Sequence, residues 1–178
     1  MTNAGPCDPA LTASASLRSP DTLLSKPTGP GLMRGSPSRQ GFVHVQPFDE
    51  LISEFAHRPR SASDGVPEGV IASAEAKLGF RLPADLRTML LRIGRWEVLR
   101  AHNVLFEPTE FEEKEDRVVF MDENQSVVSW GMKRDSPDSN VWQRNNTDGA
   151  WYSEELDLRA FLRSMLEWYR ANQAVEFR

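Results

Sequence analysis

The sequence has a single cysteine, Cys7, among its 178 residues. One thiol cannot form an intrachain disulfide, and it cannot supply the several thiolates of a cysteine-rich zinc site. No apolar run approaches the roughly 18 residues that a membrane-spanning helix needs. The N-terminus also lacks the charged segment and following apolar segment of a secretory signal. These absences predict a protein of a reducing compartment, the cytoplasm, with no membrane partner.

The chain also lacks an excess of basic residues. Its 21 Lys and Arg stand against 26 Asp and Glu, which gives a formal net charge of −5 at pH 7. Direct binding of nucleic acid needs a basic surface, so this charge argues against it. The three histidines, His44, His57 and His102, are scattered without metal-ligand spacing. We therefore expect no metal, and no phosphate-loop or Gly-x-Ser-x-Gly pattern indicates a cofactor or a serine nucleophile.

The first 40 residues contain no aromatic side chain and consist mostly of Ser, Thr, Pro, Gly and Ala. Such a segment buries too little apolar surface to offset its ordering entropy, so residues 1–40 are predicted to be a disordered tail. A second interpretation starts translation at Met33, which would leave the first 32 residues untranslated. Residues 41–178 are predicted to form one folded domain.

Three helices are predicted in the first half of this domain, each with apolar residues at helical spacing. The first starts at Pro47, the second runs from Pro67 to Gly79, and the third runs from Pro83 to Gly94. A fourth, amphipathic helix closes the chain. Its apolar face consists of Leu158, Phe161, Leu162, Met165, Leu166 and Tyr169.

The middle of the chain has short runs of β-branched and aromatic residues that are typical of strands. Residues 96–106 are predicted to hold one or two short strands, and residues 118–121 and 127–132 one strand each. Two further apolar pairs, at 141–142 and 151–152, flank a turn at Asp148-Gly149. Helices, then a meander of strands, then a helix indicate an α+β fold with a mostly antiparallel sheet and a C-terminal helix packed on it.

The polar residues 122–125 lie between two of the predicted strands. One interpretation is catalytic, with Asp122 and Glu123 as an acid/base pair. Adjacent strand residues point to opposite faces, however, which would separate the two carboxylates. Asn124 tolerates the positive φ of a tight turn, so the connection of a β-hairpin is the favoured interpretation, and no catalytic residue is predicted.

Two stretches together resemble a known family. Residues 75–90 contain Glu75, Leu78-Gly79 and Leu82-Pro83, and residues 119–131 contain Glu123-Asn124-Gln125 and Trp130-Gly131. In this order and spacing they resemble the SUKH superfamily, and more narrowly its Smi/Knr branch, named after a yeast cell-wall synthesis regulator. The family-like residues expected to have structural roles are Leu78, Gly79, Leu82, Pro83, Glu123, Asn124, Gln125, Trp130 and Gly131.

The resemblance implies a function as well as a fold. Bacterial members of the superfamily are mostly immunity proteins, which bind and neutralise toxins of polymorphic or contact-dependent systems. Nucleases and deaminases are prominent among these toxins. The family has no shared catalytic residues, so the resemblance implies a binding protein that blocks its toxin by stoichiometric occlusion. The yeast relatives leave an alternative open, a non-catalytic scaffold or regulatory module that holds endogenous partners.

An acidic segment is the candidate contact with such a toxin. Residues 107–123 hold eight acids and only two cations, Lys114 and Arg117, which gives a local charge of −6. Charge runs are usually solvated faces, and that is the plainer interpretation. The functional interpretation is attraction to the basic cleft of a toxin that acts on nucleic acid. The predicted contact residues are Glu110, Glu112, Glu113, Glu115 and Asp116, with the neighbouring exposed face of the sheet.

Overall fold

A computed structural model describes residues 46–178, which form four α-helices and one six-stranded sheet. The predicted tail at residues 1–40, with Cys7 and Met33, lies outside the described residues. The helices are α1 (Asp49–Phe55), α2 (Glu68–Leu78), α3 (Ala84–Ile93) and α4 (Leu158–Ala171). The strands are β1 (Val104–Leu105), β2 (Glu112–Lys114), β3 (Arg117–Asp122), β4 (Val128–Lys133), β5 (Asn140–Asn145) and β6 (Trp151–Asp157). No helix in residues 46–178 is long and apolar enough to cross a membrane.

Proline and glycine bound α2 and α3 as the sequence predicts. Pro67 and Pro83 directly precede the first helical residues, and Gly79 ends α2 in the left-handed conformation at φ 79°. The predicted start of the first helix at Pro47 is wrong by two residues. Phe48 has a φ of 73°, so the helical conformation begins only at Asp49.

Glu75 connects α2 to the turn that precedes α3. Its Oε1 accepts a hydrogen bond of 3.0 Å from the backbone N–H of Leu82 and lies 3.3 Å from Nε of Arg87. Leu82 is buried, and Leu78 packs half-buried against the core. These contacts fix the short connection between the two helices, so this part of the family-like stretch holds the fold together.

The sheet is antiparallel throughout, in the order β1-β3-β4-β5-β6, and β2 pairs with the same edge of β3 as β1. This topology confirms the predicted α+β fold with the C-terminal helix. Residues 96–106 contribute a 3₁₀ turn at Glu97–Arg100 and only the two-residue β1. Strand β2 was not predicted, because acidic residues have little intrinsic preference for strands.

All four helices contribute buried side chains to a single core cluster on one face of the sheet, which we call the inner face. The six predicted apolar residues of α4 are all buried. A β-bulge in β3, between Val119 and Met121, lets the neighbours Phe120 and Met121 both point into the core. The strand residues in the cluster are Leu105, Val118, Phe120, Met121, Met132 and Val141.

Strands β3 and β4 form the predicted hairpin, and the Glu123 carboxylate organises its connection. Oε2 of Glu123 accepts from the backbone N–H of Gln125 at 3.0 Å and of Val127 at 3.4 Å. The expectation that Asn124 supplies the positive φ is wrong, because Ser126 does so at 57°. The carboxylate bonds hold the loop around Ser126, two residues before β4 begins at Val128.

Candidate functional site

Side chains that alternate with the core residues form the opposite face of the sheet. The guanidinium of Arg117 lies between two indoles there, 4.5 Å from the ring centroid of Trp142 and 5.0 Å from that of Trp151. Cation–π contacts of this kind contribute roughly 0.5–2 kcal/mol each. Neither tryptophan belongs to the core cluster. We call this surface the outer face, and it consists of Arg117, Val119, Asp122, Ser129, Gly131, Lys133, Trp142, Arg144 and Trp151.

Gly131 makes room for the Trp151 side of this stack. A Cβ atom at Gly131 would lie 2.9 Å from the carbonyl oxygen of Val118 and 3.0 Å from Cη2 of Trp151. Real Cβ atoms almost never approach other heavy atoms so closely. The glycine of the family-like Trp130-Gly131 pair therefore lets the Trp151 indole lie directly against the backbone of β4.

A cavity of about 460 Å³ opens beside the stack. Its floor includes Ser129, which is 3% exposed and accepts a hydrogen bond of 2.8 Å from Nδ2 of Asn146. Oδ1 of Asn146 in turn accepts from Nη1 of Arg144 at 3.0 Å. Asp122 also lines the cavity, and its carboxylate has no partner among the described residues. The cavity thus presents both a fixed cation and an available carboxylate to a bound molecule.

The five acids predicted to contact a partner are all exposed and lie beside this cavity or close to it in the chain. Glu115 and Asp116 form the turn between β2 and β3, with φ values of 52° and 66°. Glu110 and Glu112 line the cavity itself. We call residues 110–117 the acidic hairpin. The acidic hairpin lies at the edge of the outer face, so the predicted acids and the predicted sheet face are neighbours.

Cations partly neutralise the acidic hairpin. Glu113 pairs with Arg134 at 2.9 Å and Asp116 pairs with Arg117 at 2.6 Å, while Lys114 lies 3.5 Å from Glu112. The Glu112–Lys114 and Glu113–Arg134 pairs are solvent-exposed and contribute only about 0–1 kcal/mol each, so they do not lock their side chains in place. The surface remains acidic, but less so than the count along the sequence indicates, because Arg134 comes from outside the acidic segment.

The side chains of Asp122 and Glu123, the candidate acid/base pair, line different concave surfaces. Asp122 lines the outer cavity, whereas Glu123 lines a groove on the helical side of the sheet. The alternation of strand side chains explains this divergence. The structure therefore does not bring the two carboxylates into one cleft.

The remaining family-like residues of the hairpin make contacts on its helical side. Nδ2 of Asn124 lies 3.4 Å from Nε2 of His102, and Gln125 contributes its backbone N–H to the loop. Nε1 of Trp130 donates to Oε1 of Glu154 at 2.8 Å. Trp130 packs half-buried against the core rather than fully inside it.

The sequence did not identify the Arg117 stack or the network around Asn146. Trp142 and Trp151 were recognised only as the flanks of a turn. The available signal was the alternation in β5, where Trp142 and Arg144 occupy outer positions on either side of Gln143. Cross-strand register, which sequence alone does not give, is what brings Arg117 between the two indoles.

Within residues 46–178, no group of three or more His, Cys, Asp or Glu side chains is placed to hold a metal ion. In comparisons with known proteins, the chain matches no family model, no curated protein and no solved structure. Function must therefore be inferred from the chemistry of the surfaces themselves.

Proposed function

We propose that this protein is an immunity protein of the SUKH type, which binds a cognate toxin of a bacterial polymorphic or contact-dependent system in the cytoplasm. Blocking occurs by occlusion in a stoichiometric complex, without catalysis. The observation that carries the proposal is the outer face with its two tryptophans outside the core cluster, bordered by the acidic hairpin. Tryptophan and arginine are the residues most often found at the energetic centres of protein interfaces.

The outer face has the physical properties of a binding surface. The guanidinium of Arg117 contacts both indoles, and its side chain is only 13% exposed, so little free space surrounds it. A preordered surface loses little side-chain entropy when it binds, so more of the contact energy appears as affinity. The adjacent cavity of about 460 Å³ is large enough to accept a side chain of the partner.

The acidic hairpin indicates the sign of the partner's charge. A toxin that cleaves or modifies nucleic acid presents a basic cleft to its substrate, and exposed carboxylates are attracted to such a cleft. Attraction of this kind raises association rates from about 10⁵–10⁶ to as much as 10⁸–10⁹ M⁻¹s⁻¹ at low salt. Fast capture suits an immunity protein, because the toxin damages the cell until it is bound. We infer a basic nuclease or deaminase domain as the partner.

The family-like residues support the SUKH part of the proposal through their contacts. Glu75 fixes the turn before α3, Glu123 organises the β3–β4 loop, and Gly131 admits Trp151. These contacts give the family-like residues the structural roles that the resemblance implies.

Growth rescue tests the proposal. A toxin domain encoded beside the gene for this protein is expressed from an inducible promoter, with and without the protein, and colony formation is counted. We expect the protein to restore colony formation close to that of cells without induced toxin, because a tight complex leaves little free toxin. Cell death at full expression of the protein would contradict the proposal.

A further inference from the structure

A second concave surface lies on the helical side of the sheet, between α4 and the β3–β4 hairpin, with a volume of about 390 Å³. Aromatic rings form its walls. The ring centroids of Trp130 and Phe161 are 5.5 Å apart, and those of His102 and Trp168 are 5.3 Å apart. Trp168 is 51% exposed, which leaves much of its indole in contact with solvent. We call this surface the aromatic groove.

Two carboxylates without a cationic partner line the aromatic groove. Glu123 uses Oε2 for the hairpin loop, and Glu154 uses Oε1 for the indole N–H of Trp130. The second oxygen of each has no partner among the described residues. None of the described residues that line the groove is Lys or Arg. Burial raises the pKa of Tyr169 to about 12, so its hydroxyl is neutral and the negative charge comes from the glutamates.

These features define the chemistry of the ligand. Aromatic faces attract a cation, and two separate carboxylate oxygens call for a donor that can form several hydrogen bonds at once. A guanidinium is planar, stacks on aromatic rings and presents five N–H donors, whereas an ammonium is a compact and strongly hydrated charge. The methylenes of an arginine stem would pack along the apolar wall, which includes Met165.

We propose that the aromatic groove is a second binding site and that it holds an arginine side chain of a protein partner. The guanidinium donates hydrogen bonds to the free carboxylate oxygens of Glu123 and Glu154, and its plane stacks against the indole of Trp168. This site goes beyond the proposed function, because it lies on the opposite side of the sheet from the outer face. Neither site requires the other, so the protein can contact two surfaces or two partners.

Binding of a small probe tests the groove directly. N-acetyl-arginine amide is titrated into the ¹⁵N-labelled full chain, and the indole N–H signals of the five tryptophans are followed by NMR. We expect saturable shifts of the Trp130 and Trp168 signals, with a dissociation constant on the order of millimolar for a single side chain. The Trp142 and Trp151 signals serve as internal controls and should stay in place. The neutral isostere N-acetyl-citrulline amide should produce no saturable shift.

Matched variants locate the binding charge. Glu123→Gln with Glu154→Gln keeps an acceptor oxygen for each structural hydrogen bond and should weaken the probe at least tenfold. Asp85→Asn with Glu97→Gln removes the same charge from exposed positions outside both proposed sites and should leave probe affinity unchanged. Trp168→Ala should also abolish the shift of the Trp130 signal, and the dispersion of its backbone amide signals checks that the fold is retained. Equal responses to the arginine and citrulline probes, or unchanged affinity in the Glu123/Glu154 variant, would overturn the proposal. The NMR titration contains no toxin. Failure of the groove proposal and failure of the growth-rescue test can therefore be told apart.

Discussion

Replacing Glu112, Glu113 and Glu115 by lysine slows association with the toxin by about 10- to 1,000-fold at low salt, the range that electrostatic steering spans. All three side chains are exposed on the acidic hairpin, and the substitution changes the charge there by six units. A basic cleft that the hairpin attracts is then repelled by it. Stopped-flow mixing at several salt concentrations gives the association rate. The wild-type rate should fall steeply as salt rises, and the variant rate should lose that dependence.

A control with the same net charge separates local steering from a general charge effect. Asp85, Glu97 and Glu167 are exposed acids on α3, the 3₁₀ turn and α4, all outside the acidic hairpin. Their replacement by lysine changes the net charge by the same six units. We expect this control to bind at close to the wild-type rate. If both triple variants slow equally, or if neither does, the acidic hairpin is not the steering surface.

Gly131→Ala lowers the free energy of unfolding by about 1–3 kcal/mol, the usual cost of forcing an extra group into a packed site. The added methyl meets the Val118 carbonyl oxygen and the Trp151 indole at about 3 Å, so either β4 or the Trp151 ring has to move. Since alanine favours strands slightly more than glycine does, intrinsic preference alone would give the opposite sign. Urea unfolding followed by tryptophan fluorescence measures the effect.

Gly69 provides the matched control, because a Cβ at this position in α2 has no heavy atom within 4 Å. Gly69→Ala should raise the free energy of unfolding by about 0.5–1 kcal/mol, the difference in helix propensity between the two residues. Opposite signs at the two glycines would support the close packing of Trp151 on β4. A Gly131→Ala variant as stable as the wild type would mean that the indole does not lie there.

Periodic segments were predictable from the sequence, and context-dependent ones were not. Helix α4 has a continuous apolar stripe, so its buried face was evident from residue spacing alone. The start of α1 depends on the unusual φ of Phe48, a buried side chain whose position is set by the rest of the core. Strand β2 consists of Glu-Glu-Lys and forms only because β3 offers free backbone hydrogen-bonding groups beside it.

The candidate site also has features that the sequence predicts and features that it does not. The acids of the hairpin could be identified by their local density, and all five are exposed. The ion pair of Glu113 with Arg134 could not be identified, because that contact joins β2 to the residue that follows β4. The Arg117 stack likewise needs the register of four strands before its three side chains come together. The density of charge along the chain can be counted from the sequence. Which side chains meet on a sheet surface depends on the register of the strands.

Residual toxin activity, measured against the molar ratio of protein to toxin, tests the central claim most directly. Occlusion by a tight stoichiometric complex predicts that activity falls linearly and reaches zero at one protein per toxin. At half that ratio, half of the activity should persist however long the mixture is incubated, since each molecule of protein blocks one toxin and no more. A small fraction of the protein that silences all of the toxin over time would show turnover, and it would contradict the account.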